Sequence, residues 1–496
     1  MVTPQKATRE FTDRDRTSNF ESRTSRRELI MDRADFINEG AIWELLEEGR
    51  HVGRAEVEKI IQKAGEAKGL TPREAAVLLH VEDQDLLEGI FRTANRIKEA
   101  IYGLRLVFFA PLYISNFCVN NCLYCGYRRD NAFQRSRLTQ EEIVLEVQVL
   151  EEMGHKRIAL ECGEDNLNCP LDYVLESIGT IYSVKEKTGS IRRINVNIAA
   201  TTTEEYRLLK EANIGTYILF QETYHLPTYE IMHPMGPKSD YHWHTTAMDR
   251  AMTGGIDDVG LGVLFGLHDY KFEVVALLLH GLHLEKNFGV GAHTISFPRL
   301  RPALGVDLEA YPHLVSDADF KKLVAITRLA VPYTGMLIST REKPDFRDVL
   351  CQVGISQLSA GSCTGVGGYY REKAGLSTAE DLPQFSLEDL RDLDEIVRSV
   401  CEAGSIPSFC TACYRSGRVG DRFMKLAKSG EIQNICQPNA LITFKEFLDD
   451  YASPETKEVG ERVILAHLER MANPTLRDKT REKLSLVGAG ERDLYF

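Results

Sequence analysis

Residues 105–125 read RLVFFAPLYISNFCVNNCLYC. Leu106–Ile114 is an almost unbroken apolar run, the pattern of a strand buried on both faces of a parallel sheet. Three cysteines follow it at once, Cys118, Cys122 and Cys125. Seven more short apolar runs follow downstream: Arg157–Cys162, Arg193–Ala200, Thr216–Glu222, Asp258–Leu264, Thr294–Leu300, Leu337–Thr340 and Ile355–Ala360. Amphipathic segments separate them and predict helices at 139–153, 172–187, 203–212, 240–253, 271–286, 317–330 and 345–351, with a last one at 386–403. Strand–helix alternation implies right-handed crossovers and a parallel sheet, and eight units over about 300 residues predict a (β/α)8 barrel.

Outside this region, residues 1–38 read as a polar, flexible leader. Residues 39–104 read as a helical segment, with Thr71 and Glu74 spaced as a capping box. The barrel takes 105–404. Residues 405–496 form an extension with predicted helices at 419–429, 442–451 and 456–471. The fold class is therefore α/β: a TIM barrel with a helical N-terminal segment and a helical, cysteine-bearing C-terminal extension.

The composition excludes several classes. The 496 residues are 43% hydrophobic and 27% charged, values of a globular chain. A formal charge of −13 argues against a dedicated nucleic-acid binder. No stretch of about 18 apolar residues offers a membrane span; runs such as Val274–Leu279 read as buried elements. No apolar stretch after Met1 makes a signal peptide, and Glu10, Asp13, Asp15 and Glu21 argue against a transit peptide. The expected location is cytoplasmic. There disulfides are rare, so clustered cysteines among the eleven point to metal or redox chemistry.

Thiolates spaced as in Cys118-x3-Cys122-x2-Cys125 can hold one corner of an inorganic cluster. A [4Fe–4S] cluster takes four ligands, so three cysteines leave one iron open. A zinc knuckle is the alternative and needs a fourth ligand, for which His155 is the candidate. The second set, Cys410-x2-Cys413-x22-Cys436, fits either zinc or an auxiliary Fe–S cluster. The remaining cysteines, 162, 169, 351, 363 and 401, are dispersed and read as small buried hydrophobes.

The first spacing resembles that of the radical S-adenosylmethionine (SAM) superfamily. The resemblance implies that the open iron binds the amino and carboxylate groups of SAM, and that reduction cleaves SAM to a 5′-deoxyadenosyl radical. Tyr124 stands where the superfamily contacts adenine. The segment Glu161-Cys162-Gly163-Glu164-Asp165 is similar to the superfamily's GGE element, with Cys162 in place of the first glycine. That places Gly163 and Glu164 at the SAM amino group. Asn197 and Glu222 are further candidates for SAM's polar groups.

With the second cysteine set, the chain after about residue 40 resembles the HydG family of tyrosine lyases in [FeFe]-hydrogenase maturation, close to the 2-iminoacetate synthases of thiamine synthesis. Phe220-Gln221-Glu222-Thr223-Tyr224 and Ser296-Phe297-Pro298-Arg299-Leu300-Arg301-Pro302 support it. The resemblance implies hydrogen abstraction from L-tyrosine, cleavage to p-cresol and dehydroglycine, and conversion of dehydroglycine to carbon monoxide and cyanide. It implies two Fe–S clusters, with an extra iron and a free cysteine at the auxiliary one. It also implies a reductant such as ferredoxin or flavodoxin, and other hydrogenase maturases as partners.

A tyrosine substrate needs a cation for its carboxylate. Arg299 and Arg301, two apart at the end of the sixth strand, are the candidates. An extra iron needs an imidazole. His268, His280, His283 and His293 were weighed, and His293, before the sixth strand and facing the extension, is favoured. A lyase that stops at dehydroglycine, a radical SAM methylase or sulfur-insertion enzyme, and a non-enzymatic Fe–S or zinc scaffold remain the alternatives.

Overall fold

The computed structural model describes residues 33–187, 189–378 and 381–496. Residues 1–32, most of the expected leader, lie outside them.

Eight parallel strands close a barrel. They are β1 (Arg105–Ser115), β2 (Arg157–Cys162), β3 (Arg193–Asn197), β4 (Tyr217–Ile218), β5 (Val259–Gly262), β6 (Thr294–Ser296), β7 (Gly335–Ile338) and β8 (Gln357–Ser359). A ninth, β9 (Ile406–Ser408), was not expected from the sequence. The eleven-residue β1 has three neighbours along its length. Arg105–Val107 pairs with β9, Val107–Phe109 with β8, and Ala110–Ser115 with β2. The extension is thereby hydrogen-bonded directly to the barrel.

The crossover helices start where the sequence supplies caps. Thr139 with Glu142, Thr202 with Glu205, and Asp392 with Glu395 each form a reciprocal capping box. The N-terminal helix Gln84–Tyr102 packs on the barrel helix Asp317–Ala330. In the extension, helix Ile432–Asp450 packs on β9 and on helices Pro454–Glu469 and Pro474–Gly488. Among the described residues no helix is long and apolar enough to cross a membrane.

The fourth expected strand is shorter than its apolar run, only Tyr217–Ile218, and the chain turns further on at Glu222, whose φ is +67°. The helix expected at 240–253 breaks at Thr246 into Tyr241–Thr245 and Ala247–Thr253.

Candidate functional site

The strand C-termini open into a cavity of about 1580 Å3, counting its mouth. Cys118, Cys122 and Cys125 line it together. Their loop is tied down by one guanidinium. Arg135 donates to the carbonyls of Asn116 and Tyr127 at 2.7 Å and to that of Arg128 at 2.7 Å. Sequence reasoning did not single out Arg135. Two amides face the thiols: Gln384 Nε2 lies 3.6 Å from Cys125 Sγ, and Asn120 Nδ2 lies 3.8 Å from Cys118 Sγ. Donors so placed favour thiolate over thiol.

The other expected SAM contacts line the same cavity: Tyr124, Gly163, Glu164, Asn197 and Glu222. A Cβ at residue 163 would sit 2.2 Å from the Phe117 carbonyl, so glycine lets β2 close onto the cysteine loop. Glu164 accepts from Asn120 Nδ2 at 2.6 Å, and burial raises its pKa. Gly236, at φ +97°, passes close to the same Asn120. The Tyr124 hydroxyl is 2.8 Å from His233 Nε2. Asn197 donates to Glu161 at 3.3 Å, and burial pushes the Glu161 carboxyl up to about 7. Lys238 Nζ donates to Glu222 at 2.8 Å. Burial opposes the Lys238 charge, but Glu222 and the nearby thiols outweigh it and raise the pKa.

The two candidate cations lie elsewhere. Arg299 and Arg301 do not line this cavity. β6 ends at Ser296, and both guanidiniums turn to Glu342, which is fully buried. Arg299 Nε donates to Glu342 Oε1 at 2.9 Å and Arg301 to Oε2 at 2.7 Å, while Arg299 also holds Asp317 at 2.7 Å. Their spacing of two does put them on one side, but that side carries a partner already. The guanidinium that does line the cavity is Arg341. It lies over the Phe385 ring at 3.3 Å, and its one hydrogen bond among the described residues is long, 3.5 Å to the Arg299 carbonyl. Nothing in the spacing around Arg341 marks it in advance.

A second cavity, about 670 Å3 counting its mouth, lies at the strand N-termini. Cys410, Cys413, Cys436 and His293 line it together. β9 delivers Cys410 and Cys413, helix Ile432–Asp450 delivers Cys436, and His293 precedes β6. His293 Nδ1 lies 3.2 Å from Asp258 Oδ1, and its ring packs edge-on against Phe423 at 4.8 Å. The free thiols of Cys413 and Cys436 share a hydrogen bond, which lowers the pKa of Cys436. Arg105, Arg157 and Arg418 complete the wall, so this pocket sets cations around its thiols. The other weighed imidazoles are elsewhere. His268 stacks on His225 at 3.8 Å, His280 bonds the Tyr224 hydroxyl at 2.8 Å, and His283 bonds Asp249 at 2.6 Å.

Among the described residues no three His, Cys, Asp or Glu side chains converge on one ion. His155, the fourth ligand of the zinc alternative, is fully buried and lines neither cavity. Cys162 was read as a small buried hydrophobe. It lines the upper cavity, and its thiol bonds to Cys169.

Residues 112–279 match the radical SAM superfamily, and residues 296–406 match the Biotin and Thiamin Synthesis associated domain. The chain is 31% identical over 348 residues to 2-iminoacetate synthase of Escherichia coli (strain K12), covering 70% of this chain and 89% of that protein. The crystal structure of HydG, a maturase of the [FeFe]-hydrogenase, superposes with a TM-score of 0.91 at 61% identity, covering 93% of this chain and 100% of that one. HydG from Carboxydothermus hydrogenoformans gives 0.79 at 40% identity, covering 90% and 97%. The chain belongs to the radical SAM superfamily, whose domain implies SAM and a [4Fe–4S] cluster, and within it to the family of the [FeFe]-hydrogenase maturase HydG.

Proposed function

We propose that this chain is a radical SAM carbon–carbon lyase. It cleaves L-tyrosine between Cα and Cβ to p-cresol and dehydroglycine, and the latter goes on to carbon monoxide and cyanide for assembly of the hydrogenase's metal centre. The observation that carries this reading is the pair of three-cysteine cavities at opposite ends of one barrel. A lyase that ended at dehydroglycine would leave the lower one without a task.

In the upper cavity Cys118, Cys122 and Cys125 would hold the [4Fe–4S] cluster. Glu164 and Gly163 would take the ammonium of SAM, Asn197 and Glu222 its other polar groups, and Tyr124 the adenine. Held there, the two would supply 5′-deoxyadenosyl radical chemistry on reduction. The chain's own part is binding and orientation. Arg341 replaces Arg299 and Arg301 as the guanidinium for the tyrosine carboxylate, because it lies on the cavity and they are committed to Glu342. The apolar cluster of Phe109, Ala159 and Leu337 backs the same cavity and keeps water from its inner end.

In the lower cavity Cys410, Cys413 and Cys436 would hold the auxiliary Fe–S cluster, with His293 and a free cysteine on an extra iron. A neutral imidazole suits iron, and Asp258 beside Nδ1 would fix the ring, as carboxylates do behind metal-bound histidines. Such thiol sites belong in a reducing cytoplasm. A ferredoxin- or flavodoxin-type reductant and the other maturases complete the reading.

The test is an anaerobic assay of reconstituted protein with SAM, dithionite and L-tyrosine. p-Cresol is read by chromatography and carbon monoxide by haemoglobin binding. Both products are expected. p-Cresol without carbon monoxide would make the chain a 2-iminoacetate synthase, and 5′-deoxyadenosine without p-cresol would make tyrosine the wrong substrate.

A further inference from the structure

A third cavity, about 580 Å3 and polar, lies at the strand-start end of the barrel beside the lower one. Arg193, Lys210, Asn213, Asp257 and Val419 line it. Two residues belong to both cavities, Asp258 and Tyr414. Tyr414 is thus a wall shared between the outer space and the cysteine-lined one. Its hydroxyl is 3.2 Å from Thr216 Oγ1. Its ring carries one guanidinium from each cavity. Arg193 of the outer one lies 4.2 Å from the ring centroid and Arg157 of the inner one 5.4 Å.

Several polar atoms here are buried without a partner. They include Nε of Arg193, Nε of Arg157 and Oδ2 of Asp258, whose Oδ1 accepts from the Gly420 amide at 2.9 Å. Buried polar atoms are normally satisfied, so unsatisfied ones of both signs on residues lining the two adjoining cavities call for a ligand with both signs. A zwitterion meets that need, its carboxylate on guanidinium N–H and its ammonium on Asp258.

The other way in runs through the upper cavity, where SAM and tyrosine would stand in the path. The upper and lower cavities share no lining residue. Along β1, Phe109 lines the upper one and Val107 the lower, and Phe109 packs with Ala159 and Leu337.

We infer that the outer polar cavity is the port by which a small α-amino acid reaches the auxiliary centre, with Tyr414 as its door. This rests on the reading of the lower cavity as an auxiliary cluster that takes free cysteine. A swing of the Tyr414 side chain, at the loss of the hydroxyl bond and of its two guanidinium–ring contacts, would join the two spaces. The Lys210–Asp257 ion pair stands at the outer lip, half exposed and mutually neutralised, so it does not trap the passing ligand.

The probe is L-[35S]cysteine, added to anaerobically reconstituted full-length protein, with bound label followed in time by rapid gel filtration. Val419→Trp, which fills the outer cavity, should slow loading about tenfold and leave its end point unchanged, since only access is altered. Tyr414→Phe, which removes the hydroxyl bond, should load faster than the parent. Saturating SAM and tyrosine in the upper cavity should change nothing. Lys210→Trp at the lip repeats the first arm if Val419→Trp loses iron or fold. Loading of both plugged variants at the parent rate, blockage of loading by SAM with tyrosine, or no bound cysteine at all overturns the port. p-Cresol is measured on the same samples. Its absence with normal loading would strike the lyase reading and leave the port standing, while normal p-cresol with unchanged loading would do the reverse.

Discussion

The two thiol cavities use the same ligands in opposite settings. The upper set comes from one eight-residue stretch, 118–125, and its loop is fastened locally by Arg135. Its surroundings carry both signs: Glu161, Glu164 and Glu222 with Lys238 and Arg341. The lower set is assembled from distant elements, β9, helix Ile432–Asp450 and the start of β6, and Arg105, Arg157 and Arg418 stand around it. A cavity of mixed charge suits a cofactor and substrate that are both zwitterions and must come and go. A cationic wall lowers the cost of gathering several thiolates and favours keeping what they hold.

The largest expected effect separates the two. Cys122→Ser should bring 5′-deoxyadenosine and p-cresol below detection, since a three-thiol set has no spare ligand. Cys436→Ser should keep p-cresol within about twofold, because the lower cavity shares no residue with the upper, and should lose carbon monoxide. If Cys436→Ser also abolished p-cresol, the cavities would be one functional unit and the comparison would fail.

Next comes the pair of arginine sites. Arg341→Gln should raise the KM for tyrosine about 10- to 100-fold, the worth of a charge-assisted hydrogen bond of about 1.5–3 kcal/mol. Arg299→Gln should leave that KM alone and act on stability instead. It takes from Glu342, a fully buried carboxylate, its closest cation and leaves it Arg301, so the loss should be smaller than the about 3–5 kcal/mol of a buried charge left unpaired. Steady-state kinetics with melting curves on both variants decide it. A raised KM in Arg299→Gln with unchanged melting would return the carboxylate to the residue the sequence favours.

That exchange of arginines shows where a sequence can be read and where it cannot. The apolar runs announce the strands, because parallel strands buried on both faces leave little room for polar residues. The upper cysteines are legible because their spacing is local. β9 is not, since it is three residues long with Pro407 at its centre, and proline reads as a strand breaker. It is tolerated here because β9 is an edge strand. Pro438 hides the first turns of helix Ile432–Asp450 in the same way, so the helix expected from residue 442 starts ten residues earlier and carries Cys436 on its concealed part. The helix expected from 386 begins at Leu393, where the Asp392–Glu395 capping box marks the start. His293 was legible as a position, before a strand and facing the extension. Asp258 beside it was not, because a neighbour across two strands leaves no mark in spacing. Arg341 was missed for a related reason: a lone arginine after β7 carries no pattern, whereas Arg-x-Arg does.

The smallest effect concerns how the upper cavity is held. Glu273, on helix Tyr270–Phe288, accepts from the Tyr224 amide at 2.9 Å and from the Thr223 hydroxyl, just after Glu222. Burial pushes its carboxyl up to about 8 from an ordinary value of 4.5. A folded pKa above the unfolded one means the folded state keeps the proton longer. The stability it contributes is whole below about pH 4.5 and declines as pH rises through about 8. Glutamine mimics the protonated acid and cannot ionise. Thermal melting from pH 5 to pH 8.5 should therefore show Glu273→Gln gaining on the parent as pH rises, with the curves closest in shape at the acid end. A constant offset across that range would mean Glu273 is already ionised in the fold. The segment behind Glu222 would then be held by a charge, and the upper cavity would owe its shape to electrostatics more than to a buried neutral hydrogen bond.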